Sequence, residues 1–182
     1  ITADSIVGNQ IFLHIELTAQ PRISAINYKG AKKSEREDCE KMIGLQTGSQ
    51  INTDIINRAK YYIKKHFEDK GFNNCEVEIM QREDVTGDNK VIVDININKN
   101  EKIKIHRIHI TGLDDKKERI KVKKAMKKTR EHKLYNFFRS KKYVPEKFEE
   151  DKASTIEKLN GWGFRDALLV ADSVVNIDEK HV

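Results

Sequence analysis

From Val91 to Ile97 the chain alternates Val91, Val93, Ile95 and Ile97 with Ile92, Asp94 and Asn96. This period of two lays one face of a strand on a core. The habit resumes at Ile103, Ile105, Ile108 and Ile110 after the link Asn98-Lys99-Asn100-Glu101-Lys102. That link has neither Gly nor an Asn-Gly or Asp-Gly pair, which argues against a tight hairpin between the two runs. Upstream the apolar period lengthens. Ile55, Ala59, Tyr62, Ile63, His66 and Phe67 fall along one face of a helix that Asn52 or Thr53 can cap and that Gly71 stops in a left-handed conformation. Ser34 followed by Glu37 predicts a capping box, opening a shorter helix through about Met42 that ends at Gly44. Phe72 to Gln81 reads as extended, Gly87 to Asn89 as a turn, and Lys90 to Asn98 as the antiparallel return. The order is β-α-α-β-β.

The same order repeats. RISAINYKG, Arg22 to Gly30, matches KIHRIHITG, Lys104 to Gly112, and FEDKGFNNCEV from Phe67 matches LNGWGFRDALLV from Leu159. The second unit is expected to hold a helix from about Lys116 to Arg130, an insertion near 130–145, and a helix from Pro145 to Asn160 with Phe148, Ile156 and Leu159 on its inner stripe. A strand restarts at Gly163-Phe164, and Val174 to Val182 reads as a turn and the beginning of the last strand. VGNQIFLHIEL, Val7 to Leu17, matches TGDNKVIVDIN and so reads as the final hairpin strand of a preceding unit. The expected fold class is α+β: tandem β-α-α-β-β units, each a three-stranded mixed sheet covered by two helices. The expected division is 1–20 as the C-terminal strands of a truncated preceding unit, 21–100 as a complete unit, and 101–182 as a second unit with its last strand truncated. The opening runs then belong to different units: Val91 to Ile97 ends one and Ile103 to Ile110 begins the next.

The tandem order, the strand-to-glycine endings at Gly30 and Gly112, and the helix-to-strand KGF and WGF junctions resemble POTRA domains, the polypeptide-transport-associated repeats of an outer-membrane barrel-assembly factor. By that register the chain resembles the end of the first repeat, all of the second and most of the third. The stretch KKAMKKTRE…FFRSKKYVPEKFEEDKASTIEKLNGWGFRDA carries the likeness to the third. The resemblance implies a periplasmic scaffold that receives unfolded outer-membrane proteins and accessory assembly lipoproteins beside a membrane barrel of the same parent chain, absent from this sequence. It implies no cofactor and no catalysis. It also implies that the last strand of each unit lies in the middle of its sheet and leaves the preceding strand at an edge. Such an edge offers unpaired N–H and C=O groups to an extended peptide. The expected partner-binding residues are Cys75, Val77 and Ile79 in the first unit and Ala167, Leu168, Leu169 and Val170 in the second. Tyr135, Phe137 and Phe138 in the insertion form either a small satellite core or a further partner contact.

Composition changes this picture little. The 182 residues suit two small domains, and 35 basic against 29 acidic side chains give a salt-rich surface with a net charge of +6. No apolar run approaches the roughly 18–20 residues that cross a bilayer as a helix. The start, Ile1-Thr2-Ala3, has neither Met nor a signal peptide, as in a fragment of something longer. Lys121, Lys123, Lys124, Lys127, Lys128 and Arg130 can meet phosphate or lipid headgroups, although most such runs are solvated helix faces. The alternative reading is a KH-like tandem domain that binds nucleic acid through this basic surface. GLQTG, Gly44 to Gly48, invites it but has one residue too many for a G-x-x-G loop. Trp162 reads as a cap on a helix end. Cys39 and Cys75 read as small core hydrophobes, and the six histidines show no zinc-like convergence. No nucleophile elbow, HExxH or phosphate-binding loop is present.

Overall fold

A computed structural model describes residues 2–8, 10–17, 19–131 and 142–182. Its N-terminal hairpin joins β1 (Thr2–Val7) to β2 (Gln10–His14) through Gly8, whose φ is +60°. The next unit contains β3 (Arg22–Lys29), α1 (Lys33–Ile43), α2 (Thr53–Asp69), β4 (Glu76–Glu83) and β5 (Lys90–Asn98). Two further helices follow, α3 (Lys116–Ala125) and α4 (Pro145–Gly161).

The first unit is a three-stranded mixed sheet of order β3-β5-β4, in which β5 runs parallel to β3 and antiparallel to β4. Alternation along β5 decides the faces. Val91, Val93, Ile95 and Ile97 are buried against the helices, whereas Asp94 on the opposite face takes a 2.7 Å hydrogen bond from Asn27 of β3 and another of 2.7 Å from Arg82 of β4. The Asn27 amide and the Arg82 guanidinium hold the Asp94 carboxyl below the usual carboxylate range. Ala59, Ile63 and Phe67 form the buried stripe of α2. Tyr62 is instead exposed, because this stripe follows the four-residue spacing and leaves Tyr62 on its flank. Cys39 and Cys75 are free and buried in the same core, and burial pushes both thiols up to about 11.

Helix ends follow local chemistry. Asn52 caps α2, its Oδ1 accepting from Ile55 N at 2.9 Å. The entry of α1 differs from the expected Ser34–Glu37 box: Lys32 N donates to Glu35 Oε2 at 2.8 Å, so the helix starts earlier. Gly71, with φ +89°, closes α2 as Gly71 N donates to Glu68 O and Phe72 N to Phe67 O, the paired bonds of a Schellman motif. Gly163 repeats them behind α4, donating to Asn160 O while Phe164 N donates to Leu159 O. The turn continues as Cys75 N donates to Phe72 O, so β4 begins at Glu76 and not at the expected Phe72.

The two glycines give a paired prediction. At Gly163 an added Cβ would meet nothing within 4 Å, so Gly163→Ala is expected to cost only the left-handed strain of about 1 kcal/mol. At Gly71 it would stand 2.8 Å from Cβ and Cδ of Lys142. Gly71→Ala should therefore cost more, and a thermal melt of each variant separates conformational strain from crowding.

Residues 98–102 join the units without forming a hairpin between β5 and the following run. Ile103 N donates to Gly71 O at 3.0 Å and Tyr143 N to Ile103 O at 2.7 Å, while Asn73 Nδ2 reaches Tyr143 O at 3.1 Å. In the second unit α3 stops at Ala125, short of the expected Arg130. The carboxylate of Asp151 on α4 explains the stop by accepting from the backbone of Lys127, Lys128 and Thr129 at 3.1, 2.8 and 2.5 Å. Ile103 and Ile105 keep the buried positions of the expected first strand. The pairing there consists of bridges from Lys104 to Lys142 and to His181, and no strand is assigned among the described residues beyond β5. A strand is defined by its partner, and here the backbone bonds are limited to Lys104 N to Lys180 O, His106 N to Val182 O and Val182 N to Lys104 O.

Candidate strand-binding edge

The two outer strands of the first sheet are unlike. The outer side of β3 is partly closed, because Ile23 N donates to Ser49 O at 2.9 Å and Gly48 N to Ile23 O at 2.7 Å. Gly48 therefore closes a sheet edge, which occupies the backbone that a phosphate-cradling reading of GLQTG would need. β4 ends the strand order on the other side, and among the described residues no strand lies beyond it.

The register of β4 fixes which groups that edge presents. Glu76 pairs with Asn98, and the register continues without a bulge to Glu83 opposite Val91. Asp84 N then donates to Lys90 O at 3.0 Å, marking the Asp84–Lys90 position as a hydrogen-bonded pair. Because antiparallel pairs alternate, Val77, Ile79 and Gln81 occupy the other phase and turn N–H and C=O away from β5. These are the groups that a peptide can engage. Cys75 shares their phase but already spends its N–H on Phe72 O, so it marks the end of the usable edge. The buried side chain of Ile79 and the half-buried side chain of Val77 anchor the strand to the core. Glu76, Glu78 and Arg82 are exposed charges along it, and such charges limit promiscuous pairing. Neither the outward phase nor the closure of β3 is visible in alternation alone; both emerge from the pairing register.

Ala167, Leu168, Leu169 and Val170 lie in an irregular segment after α4. Ala167 N donates to Phe164 O, and Leu168 and Val170 are strongly exposed. Tyr135, Phe137 and Phe138 fall outside the described residues. The basic cluster is partly neutralised, as Lys123 Nζ lies 2.6 Å from Glu131 Oε1 and Lys128 pairs with Glu150; Lys121 Nζ sits 6.0 Å from the Trp162 ring centroid. Trp162 itself is the C-cap of α4.

Residues 21–100 match the model of the family described as POTRA, surface antigen variable number repeat. These residues form a POTRA domain. Its boundaries coincide with the sheet and the two helices of the first unit. Among solved structures, the chain is similar to BamA from Haemophilus ducreyi lacking POTRA domains 1–3, at 13% identity and a TM-score of 0.53, covering 88% of this chain and 27% of that one. It is also similar to the POTRA3–5 fragment of Haemophilus influenzae BamA, at 14% identity and a TM-score of 0.49, covering 91% of this chain and 59% of that one. The chain thus spans about a quarter of the first and somewhat more than half of the second. At these identities the likeness is one of fold. No curated protein sequence is significantly similar to the chain.

Proposed function

We propose that the chain is a periplasmic scaffold segment of an outer-membrane protein assembly machine, in which the POTRA domain holds unfolded β-barrel clients by adding them as strands to the β4 edge. Residues 1–20 are read as the C-terminal strands of a preceding unit, and accessory lipoproteins are read as further partners. The observation that carries this reading is the difference between the outer strands: β3 is closed at Ile23 by the segment around Gly48, whereas Val77, Ile79 and Gln81 of β4 aim backbone groups away from the sheet. Backbone pairing disregards most side-chain identity, which suits a module serving many sequences. The likeness of the fold to BamA supports this reading.

Gln81 offers the cleanest test because its side chain is exposed and its N–H points outward. Gln81→Pro removes that donor while sparing the ladder to β5, a position where an edge strand tolerates proline. An extended peptide taken from an outer-membrane β-barrel strand is titrated against the wild type, Gln81→Ala and Gln81→Pro, with circular dichroism as the folding control. Gln81→Pro is expected to weaken binding by about 5–10-fold, in line with one lost hydrogen bond of about 1 kcal/mol, and Gln81→Ala to leave it unchanged. Equal affinity across the three folded proteins would contradict the β4 edge.

A further inference from the structure

β4 carries its charges unevenly. Glu76, Glu78, Met80 and Arg82 alternate with the core-facing positions and are all exposed on the face of the sheet away from the helices. Arg82 Nε lies 2.7 Å from Asp94 Oδ2, which neutralises the end of the strand next to the turn. At the other end two carboxylates stand two residues apart on one face, about 7 Å along the strand. The side chains behind them on β5 are neutral: Asn98 opposite Glu76 and Asn96 opposite Glu78. Asn98 Nδ2 reaches Glu76 Oε2 at only 3.5 Å. Among the described residues the Glu78 side chain has no hydrogen bond or ion pair. In a chain of net charge +6, this end of the edge is a local acidic surface without a cation of its own.

The pairing register brings these carboxylates within reach of an added strand. Glu76 and Glu78 spend their N–H and C=O groups on β5. Toward an antiparallel strand on the outer side they therefore take the non-hydrogen-bonded positions, where facing side chains stand closest, with Cβ atoms about 4.5–5.5 Å apart. Val77 and Ile79 between and beside them turn their side chains to the core. An incoming strand thus meets an apolar surface on one of its faces and an acidic one on the other.

We infer that Glu76 and Glu78 form a charge filter on the β4 edge, selecting extended clients that carry two Lys or Arg residues two positions apart on one face and apolar residues on the other. The inference rests on the reading of β4 as a client edge and adds to it which strands are taken and in what register. A basic residue opposite each carboxylate gains an opposite-charge cross-strand pair, whereas an acidic residue there meets a like charge. Register follows from the spacing. A slip of one residue turns the basic side chains toward the core face, and a slip of two leaves one carboxylate unmatched. The neutralised Arg82 end discriminates little, so selection is concentrated at the start of β4.

Two versions of one β-barrel strand peptide test it, identical except for Lys or Glu at two positions of one face, two residues apart. Each is titrated against the wild type, Glu76→Gln/Glu78→Gln, Glu76→Lys/Glu78→Lys and Gln81→Pro, with circular dichroism as the folding control. The wild type is expected to bind the lysine version about 10-fold more tightly. Long-range attraction to a chain of net charge +6 favours the glutamate version, so a preference for lysine reports the local carboxylates. The glutamine pair should remove most of the preference and the lysine pair should reverse it. Gln81→Pro should weaken both versions alike. No preference in the wild type, or one that neither pair of substitutions changes, would overturn the filter alone if Gln81→Pro still weakens binding. A charge preference that persists while Gln81→Pro has no effect would overturn strand addition at β4, and the filter with it.

Discussion

Gly30→Ala is expected to lower the stability of the POTRA domain by about 3–4 kcal/mol, which for a unit of this size shifts its melting temperature down by about 15–25 °C. Two effects act together. The φ of +87° costs any residue with a β-carbon about 1–2 kcal/mol, and the new Cβ would sit 1.9 Å from the backbone oxygen of Ile97. Backbone cannot rotate out of the way as a flexible side chain can, so β3 and β5 must separate where they form the parallel half of the sheet. Gly44 supplies the control: its φ is +64°, but nothing lies within 4 Å of an added Cβ. Gly44→Ala should cost only the conformational part, about 1 kcal/mol. Far-UV circular dichroism during thermal unfolding measures both, and a Gly30→Ala loss no larger than that of Gly44→Ala would contradict the close strand passage.

Asp151→Ala is expected to cost the second unit about 3 kcal/mol or more. Asp151 is only 3% exposed, and its carboxylate gathers the backbone N–H groups of Lys127, Lys128 and Thr129, the last of them also buried. Alanine strands these donors where water reaches poorly, and it removes the link between the end of α3 and the middle of α4. Asp151→Asn retains one oxygen but sets an NH2 group among donors, so an intermediate loss is expected. Trp162, the single tryptophan of the chain, sits at the end of α4 and reports on this unit. Urea unfolding followed by its fluorescence should show the midpoint falling in the order wild type, Asn, Ala. Equal midpoints would mean that the carboxylate does not hold the turn after α3.

The sequence exposes what depends on short-range periodicity and leaves obscure what depends on pairing. The alternation from Val91 to Ile97, the Asn52 cap and the left-handed stops at Gly44 and Gly71 were all legible, because each is a local pattern with a local physical cause. The end of α3 was not: Lys127 to Arg130 reads as a continuing basic helix, and only the carboxylate of Asp151, distant in sequence, withdraws its backbone N–H groups. The start of β4 was missed for a similar reason, since Phe72 to Cys75 looks extended but is consumed by the turn behind Gly71. At the candidate edge, alternation points to Val77 and Ile79, whereas the polar side chain of Gln81 gives no sign of an outward N–H. Alternation also points to Cys75, whose N–H is bound to Phe72 O. The register against β5 identifies Gln81, and the bond to Phe72 O sets Cys75 apart.

The central claim, that extended clients join the sheet at β4, is tested most directly by residue-resolved amide exchange in the presence of a saturating β-barrel strand peptide. The N–H groups of Val77, Ile79 and Gln81 should gain protection together, while Glu78 and Met80, already bonded to β5, should change little. Protection appearing at β3, or in neither outer strand while the peptide is bound, would contradict it.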